Sequence, residues 1–135
     1  MDYLKVIAFT HKHTDLKDLG KLIISDDLLE TRLKTIKAKF DILEICYIGT
    51  CNRVEFVFTT SEVVDHVYVT NFIRSFDFAI PEERLEEFSK QASIYENVEA
   101  FNHLLRVSCS LESLVVGEKE IFAQVRKSYE MCREV

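Results

Sequence analysis

The stretch ILEICYIGTCNRVEFVFTT, residues 42–60, decides the middle of the fold because it holds two apolar segments around a short polar one. Residues 42–49 and 54–60 are rich in β-branched and aromatic side chains, which predicts two strands, and Thr50–Arg53 connects them. Two sets of side chains alternate along the second strand: Val54, Phe56 and Phe58 on one face, and Glu55, Val57 and Thr59 on the other. The stretch therefore predicts two consecutive strands, with Cys51 in the connection between them.

The segments on either side of this stretch alternate between strand and helix patterns. In chain order they predict a strand over 3–10, helices over 26–40 and 62–75, a helix beginning at Pro81, a weaker strand in 90–96, a helix over 97–108 and another from about 118 onward. The order β-α-β-β-α-β, followed by helices, is a split βαβ arrangement. The sequence therefore predicts the α+β class, with a ferredoxin-like antiparallel sheet, helices on one face, and C-terminal helices after it.

Composition and charge are those of an ordinary globular chain. The 135 residues are 47% hydrophobic and 30% charged, which suits one domain with a core, and three glycines and one proline argue against disorder. No apolar run approaches the roughly 20 residues that cross a membrane, and the N-terminus lacks a signal-peptide pattern, so a cytoplasmic location is expected. The net charge of −6 argues against a broad nucleic-acid surface but leaves a local basic contact open.

Cys51 is the sharpest candidate for chemistry, and its neighbours leave three interpretations open. A thiol where a strand meets a turn can be partly exposed, the guanidinium of Arg53 favours the thiolate, and Thr50 and Asn52 offer hydrogen bonds to a carbonyl under attack. If the strand geometry extends to Arg53, the side chains of Cys51 and Arg53 project to the same side. Alternatively, Cys51 is a small apolar residue at a strand end, as Cys46 is expected to be. A metal site is the third interpretation, but no cysteine or histidine spacing matches a zinc motif. All four cysteines are expected to be free thiols.

Two later segments carry weaker signals. His103 lies in a helical pattern that also holds Ala100 and Val107, which is typical of a hydrogen-bonded histidine in a core. Near the start of the last predicted helix, Glu118 and Glu120 are placed to favour the helix dipole. The alternative is that Ser113, Glu118 and Gln124 line a polar pocket for an amino-acid-like group. Pattern alone favours the simpler interpretation in both segments.

Two blocks of the sequence together resemble a known family. The blocks are IGTCNRVEF, residues 48–56, and NHLLRVSCSLESLVVGEKEIFAQV, residues 102–125. They are similar, in order and spacing, to the S-T-C-N-R-T/V-E and H-L-F-R-V-A-S-G-L-D-S-L-V-V-G-E-P-Q-I-L-G-Q-V blocks in the catalytic domain of glutamyl-tRNA reductases. The resemblance implies NADPH-dependent reduction of glutamyl-tRNA to glutamate-1-semialdehyde, which feeds 5-aminolevulinate and tetrapyrrole synthesis. It also implies a ferredoxin-like fold, in agreement with the predicted strand order.

The resemblance implies roles for individual residues. Cys51 matches the nucleophile that displaces the tRNA to form a thioester, and His103 matches the histidine that polarises the substrate or moves protons. We expect Arg53 to bind the side-chain carboxylate of the glutamyl group and Glu118 to bind its α-ammonium group. The resemblance implies eight substrate-pocket positions: Thr50, Asn52, Arg53, Ser113, Glu118, Lys119, Glu120 and Gln124.

The chain departs from the family pattern at three places. Lys119-Glu120 stand where the family has Pro-Gln, and Ser110 stands where it has glycine. The segment THKHT, residues 10–14, matches the family's N-H-K-T-A-P only loosely. The nucleophile, the histidine and the arginine are all retained.

The resemblance also predicts how the chain is organised. Residues 1–110 correspond to the ferredoxin-like catalytic domain, and residues 111–135 to the end of that domain and the start of the linking (spinal) helix. The last helical pattern reaches residue 135 without a stop, which suggests a longer parent protein. No G-x-G-x-x-G follows a strand, so the NADPH-binding and dimerisation domains are expected to be absent from this chain.

The expected partners follow from the same resemblance. They are glutamyl-tRNA(Glu), the glutamate-1-semialdehyde aminomutase that receives the product, and a second copy in the full-length homodimer. Neither a metal nor a membrane is expected to take part. The alternative from another class is a non-catalytic ferredoxin-like module that binds a small molecule or a partner.

Overall fold

Residues 3–108, which the computed structural model of the chain describes, form four strands and five helices. They are β1 (Leu4–Thr10), α1 (Leu16–Lys21), α2 (Asp26–Lys39), β2 (Ile45–Gly49), β3 (Arg53–Thr59), α3 (His66–Phe76), α4 (Glu82–Lys90), β4 (Ser93–Glu96) and α5 (Asn97–Ser108). This composition confirms the predicted α+β class. Among these residues, no helix has both the length and the apolar character that a membrane crossing requires.

The four strands form one antiparallel sheet in the order β2-β3-β1-β4. Ile7 of the central strand β1 lies opposite Phe56 of β3 on one side and opposite Ile94 of β4 on the other. Gly49, at the end of β2, lies opposite Val54 of β3. The first and third strands are therefore central and the second and fourth are edges, which is the order of the predicted ferredoxin-like fold.

One face of the sheet is covered by α1, α2, α3 and α4 and carries the main hydrophobic core. Val54, Phe56 and Phe58 are at most 1% exposed and belong to this core, as the alternation along the sequence predicts. The Phe56 ring centroid lies 5.2 Å from that of Phe72 and 5.0 Å from that of Phe76, both on α3. Because each buried aromatic side chain stabilises the fold by about 1.5–3 kcal/mol, these rings anchor α3 against β3.

The opposite face of the sheet is covered by α5. Val6 and Ala8 of β1 form a second hydrophobic cluster with Ala100 of α5, and Tyr95 of β4 packs against it. The first of the predicted C-terminal helices therefore brings His103 onto the face of β3 that lies away from the aromatic core.

Helix starts differ from the predicted ones. α3 begins at His66 rather than at 62, because the Asp65 carboxylate caps it by accepting a 2.9 Å hydrogen bond from the Tyr68 N–H. Pro81, which opens the third predicted helix, is the N-cap of α4 and precedes its first helical residue. Within α2, Leu29, Leu33 and Ile36 form the buried stripe, whereas Leu28 lies beside that stripe and is 46% exposed.

Candidate active site

Cys51 lies on the turn that joins β2 to β3. A 2.8 Å hydrogen bond from the Thr50 N–H to the Arg53 carbonyl closes this turn. The Thr50 hydroxyl oxygen accepts two further hydrogen bonds, each 3.2 Å long, from the N–H groups of Asn52 and Arg53. The Cys51 side chain is exposed and its thiol is free. The chain thus presents an accessible sulfur on a turn whose backbone is held by three hydrogen bonds.

The loop that follows β1 holds the same turn from another side. The His11 N–H donates a 3.0 Å hydrogen bond to the Asn52 carbonyl, and the His11 Nδ1 lies 3.4 Å from that oxygen. His11 comes directly after Thr10, which lies opposite Arg53 in the sheet. The loop therefore fixes the carbonyl of the residue that follows Cys51.

The strand that leads into the turn depends on a tyrosine packed over a glycine. The Tyr47 hydroxyl donates a 2.9 Å hydrogen bond to the Leu22 carbonyl and accepts one of 3.1 Å from the Ile24 N–H. Burial raises the pKa of Tyr47 to about 12, so the hydroxyl stays protonated and can donate. The same side chain covers Gly49, where a Cβ would lie 2.7 Å from the Tyr47 hydroxyl oxygen. The end of β2 is therefore tied to the segment after α1, and it needs glycine at 49.

A buried group of charged side chains lies beside the turn, on the α5 face of β3. Arg53 and Glu55 are 2% and 0% exposed, and Arg53 Nη1 donates a 2.8 Å hydrogen bond to Glu55 Oε2. The second carboxylate oxygen, Oε1, lies 2.5 Å from Nε2 of His103, which is itself 2% exposed. Glu55 thus joins the arginine predicted to bind substrate to the histidine predicted to be catalytic. Because a buried charge needs a partner, the three side chains act as one electrostatic unit.

Packing fixes the imidazole ring of His103. α5 places it on the buried helix face together with Ala100 and Val107, as predicted. The ring stacks on Tyr95 with centroids 4.1 Å apart and ring planes 13° from parallel. The second ring nitrogen, Nδ1, is buried and has no hydrogen-bond partner within residues 3–108. The histidine is therefore held at one nitrogen, while the other has no partner in this part of the chain.

The described part of the chain brings only some of the predicted site residues together. Thr50, Cys51, Asn52 and Arg53 share one turn, and His103 is joined to it through Glu55 and Arg53. β3 begins only at Arg53, which is buried, whereas Cys51 precedes the strand and is exposed; strand alternation therefore does not relate their two side chains. The remaining predicted pocket residues lie outside the described residues: Ser113, Glu118, Lys119, Glu120 and Gln124.

Sequence patterns do not identify two residues that contribute to this site. Glu55 is an acidic residue two positions after Arg53 in an otherwise apolar strand, and that placement is a usable signal because buried ions need partners. His11 has no comparable signal, since the residue it contacts, Asn52, is 41 positions away. The contacts that each residue makes are established only when the strands are assembled.

Two of the four cysteines, Cys46 and Cys51, lie within the described residues. Cys46 is half-buried in β2 and Cys51 is exposed, and neither forms a disulfide among the described residues. Cys109 and Cys132 lie outside the described residues. Within residues 3–108 no group of three or more His, Cys, Asp and Glu side chains could hold a metal ion.

Comparisons of the whole sequence point to one family. Residues 7–135 match the family model described as Glutamyl-tRNAGlu reductase, N-terminal domain. The chain is 37% identical over 115 residues to the glutamyl-tRNA reductase of Priestia megaterium, and the aligned region covers 84% of this chain and 25% of that protein. It is 36% identical over 135 residues to the glutamyl-tRNA reductase of Campylobacter curvus, covering 98% of this chain and 30% of that one.

A solved structure agrees with the sequence relatives. The structure of glutamyl-tRNA reductase from Methanopyrus kandleri is similar with a TM-score of 0.70 and 27% sequence identity, over 99% of this chain and 29% of that chain. The chain thus spans less than a third of the length of each of these proteins.

Proposed function

The chain belongs to the glutamyl-tRNA reductase family, whose N-terminal domain it matches, and on that basis we propose that it is the catalytic domain of an NADPH-dependent glutamyl-tRNA reductase. The proposed reaction converts glutamyl-tRNA(Glu) to glutamate-1-semialdehyde through a cysteine thioester. It would be the first step of 5-aminolevulinate and tetrapyrrole biosynthesis by the five-carbon route. The observation that supports it most is the exposed Cys51 thiol on a hydrogen-bonded turn that leads directly into the buried Arg53–Glu55–His103 group.

Cys51 is the nucleophile in this proposal. Its sulfur forms a bond to the acyl carbon of the glutamyl ester, the bond from that carbon to the ribose oxygen breaks, and the thiol proton ends on the released ribose oxygen. The covalent step is useful because a thioester accepts hydride more readily than an ester does. His103 is proposed to move the proton from the sulfur to the ribose oxygen.

Arg53 is proposed to bind the side-chain carboxylate of the glutamyl group. Its guanidinium is cationic, with N–H donors in a planar fork that matches a carboxylate, and Nη1 donates a 2.8 Å hydrogen bond to Glu55. Burial orients this guanidinium before substrate arrives and so favours a bidentate contact with a carboxylate. Glu118 is proposed for the α-ammonium group, and the other proposed pocket positions are Thr50, Asn52, Ser113, Lys119, Glu120 and Gln124.

NADPH would supply the hydride, and the proposal assigns its binding to a part of the full-length protein outside this chain. The described sheet is antiparallel throughout, so residues 3–108 do not form the βαβ unit that binds a dinucleotide, and the sequence has no G-x-G-x-x-G. The chain alone is therefore expected to form a thioester and hydrolyse it slowly. The homodimer, product transfer to the aminomutase and the cytoplasmic location belong to the proposal for the full-length protein.

Incubation of the chain with glutamyl-tRNA carrying a labelled glutamyl group tests this function. We expect a covalent adduct on Cys51, seen by mass spectrometry after acid quenching, together with slow release of free glutamate. Both should be lost in Cys51→Ser and kept in Cys46→Ser, which removes the other thiol of the described residues. A non-catalytic binding module would instead give no adduct, and alkylation of Cys51 would leave its ligand binding intact.

A negative result with the chain is resolved by the full-length protein. If neither adduct nor hydrolysis depends on Cys51, the same labelled substrate is given to the full-length protein with NADPH. Glutamate-1-semialdehyde formed there, and lost in Cys51→Ser, would mean that the domain needs the rest of the protein. No product there would contradict the proposed function itself.

A further inference from the structure

We propose that Glu55 is a positioning residue that holds His103 as the Nε2–H tautomer and leaves Nδ1 as the nitrogen that exchanges a proton with the reacting groups. The tautomer follows from contacts within the described residues. The task given to Nδ1 rests on the proposed function. The two parts are therefore tested by separate measurements.

Glu55 is paired with a buried cation. Arg53 is always cationic and is 2% exposed, so it needs an anion within the protein. Glu55, with no exposed surface, supplies one through the 2.8 Å bond between its Oε2 and Arg53 Nη1. The glutamate therefore serves as a carboxylate.

The charge of Glu55 then decides which histidine nitrogen carries the hydrogen. A carboxylate can only accept hydrogen bonds, so the 2.5 Å contact between Glu55 Oε1 and His103 Nε2 requires a hydrogen on Nε2. In the neutral imidazole the lone pair is then on Nδ1. The stacked Tyr95 ring, 4.1 Å away, helps to hold the imidazole in this orientation.

The surroundings of Nδ1 are consistent with a role in proton transfer. Nδ1 is buried and has no hydrogen-bond partner within residues 3–108, although buried polar atoms in native proteins nearly always have one. In the proposed reaction Nδ1 takes the proton as the Cys51 sulfur bonds to the acyl carbon, and gives it to the ribose oxygen as the ester bond breaks. The Glu55 carboxylate stabilises the imidazolium in between.

Cys51, His103 and Glu55 would correspond to the nucleophile, histidine and carboxylate of a catalytic triad, but the two imidazole nitrogens have exchanged roles. In the serine-protease triad the carboxylate holds Nδ1–H and Nε2 moves the proton. Here the carboxylate holds Nε2, so Nδ1 is left for the proton transfer.

Nitrogen NMR of the histidine rings tests the tautomer directly. The chain is labelled with ¹⁵N, and the His103 ring signals are identified by their loss in His103→Gln. Spectra are recorded at increasing pH until the His103 ring signals no longer change, so that the neutral imidazole is the form observed. We expect a protonated Nε2 and an unprotonated Nδ1. A main form with the hydrogen on Nδ1 would overturn the proposal, and this result needs no variant of Glu55 and no activity.

Glu55→Gln tests the positioning role. The amide can both donate and accept, so we expect the His103 signals to shift towards a mixture of tautomers. We also expect Cys51-dependent deacylation of glutamyl-tRNA to fall about tenfold or more, because an amide in place of the carboxylate allows the wrong histidine tautomer. Glu83→Gln, which removes an exposed carboxylate on α4, on the other face of the sheet, should change neither signal nor rate.

The possible outcomes separate the two proposals. A wild-type deacylation rate in Glu55→Gln would overturn the positioning role. If Glu55→Gln fails to fold, which its far-UV circular dichroism would reveal, the wild-type tautomer still decides the inference. A wild-type chain that shows the Nε2–H tautomer but no Cys51-dependent chemistry, alone or in the full-length protein, would contradict the proposed function and leave the tautomer standing.

Discussion

Tyr47 lies over Gly49 on β2 so closely that a Cβ at position 49 would be 2.7 Å from the Tyr47 hydroxyl oxygen and 2.9 Å from a ring carbon. The tyrosine cannot move away freely, because its hydroxyl is bonded to Leu22 and Ile24. We expect Gly49→Ala to lower the free energy of unfolding by about 1–3 kcal/mol, as overpacking does. Urea denaturation measures this change.

Gly20 provides the matched control for that substitution. A Cβ at Gly20, in α1, would have no heavy atom within 4 Å. Gly20→Ala should therefore stabilise the chain by up to about 1 kcal/mol, through helix propensity alone. If the two alanine variants shift stability in the same direction, the close contact between Tyr47 and position 49 is not the cause.

The hydroxyl of Thr50 is predicted to hold the Cys51 turn. Thr50→Val keeps the shape of the side chain but removes the oxygen that accepts from the Asn52 and Arg53 N–H groups. We expect the unfolding free energy to fall by about 1–3 kcal/mol, because both donors lose a partner. Hydrogen exchange at these two amides should become faster. Thr50→Ser retains the oxygen and should exchange at close to the wild-type rate; equal acceleration in both variants would contradict the role of the hydroxyl.

The ion pair between Asp18 and Arg84 predicts how stability depends on pH. Arg84 lies 3.1 Å from the Asp18 carboxylate, and its hydrogen bond holds the pKa of Asp18 below its usual 3.8. A carboxyl whose pKa is lowered by folding adds stability above its unfolded pKa and loses it as the pH falls through the folded pKa. We expect Asp18→Asn to cost up to about 1 kcal/mol at pH 7, since Arg84 is partly exposed.

Denaturation as a function of pH checks whether the stabilisation by Asp18 is lost as the pH falls. The difference between wild type and Asp18→Asn should be constant above the ordinary pKa of Asp18 and should shrink at lower pH. Glu30→Gln, which removes one member of an exposed pair with Lys34, should cost less than Asp18→Asn at neutral pH. A difference that grows as the pH falls would contradict the prediction.

Ala79 adopts a backbone conformation that disfavours its own side chain. Its φ is 59°, in the left-handed region, and its side chain is exposed. This conformation costs a residue with a Cβ about 1–2 kcal/mol, and glycine avoids that cost. Glycine also makes the unfolded chain more flexible, which lowers stability by about 0.4–1 kcal/mol, so the net effect is a small gain. Ala79→Gly should therefore stabilise the chain slightly, measured as an increase in Tm. Ala38→Gly in the exposed part of α2 should lower Tm, and a fall in both would refute the strain at Ala79.

Much of the fold could be predicted from local patterns. The alternation of Val54, Phe56 and Phe58 identifies the core face of β3, and the order of strands and helices gives the sheet topology. Helix starts were less predictable, because a cap depends on one residue: Asp65 bonds to the Tyr68 N–H and so begins α3 four residues later than its apolar pattern does. Exposed valines such as Val63 extend that pattern without belonging to the helix.

In the candidate site, too, some features follow from the local sequence and others from tertiary packing. The sequence by itself determined that an accessible cysteine follows a strand and precedes an arginine, because strand and turn signals depend on neighbouring residues. It also gave the buried face of α5 that carries His103, since helical period is local. Only the tertiary structure decided that Glu55 joins Arg53 to His103 and that His11 holds the carbonyl beside Cys51. Glu55 and His103 are 48 positions apart, and a buried carboxylate takes its partner from whichever element packs on its face of the sheet.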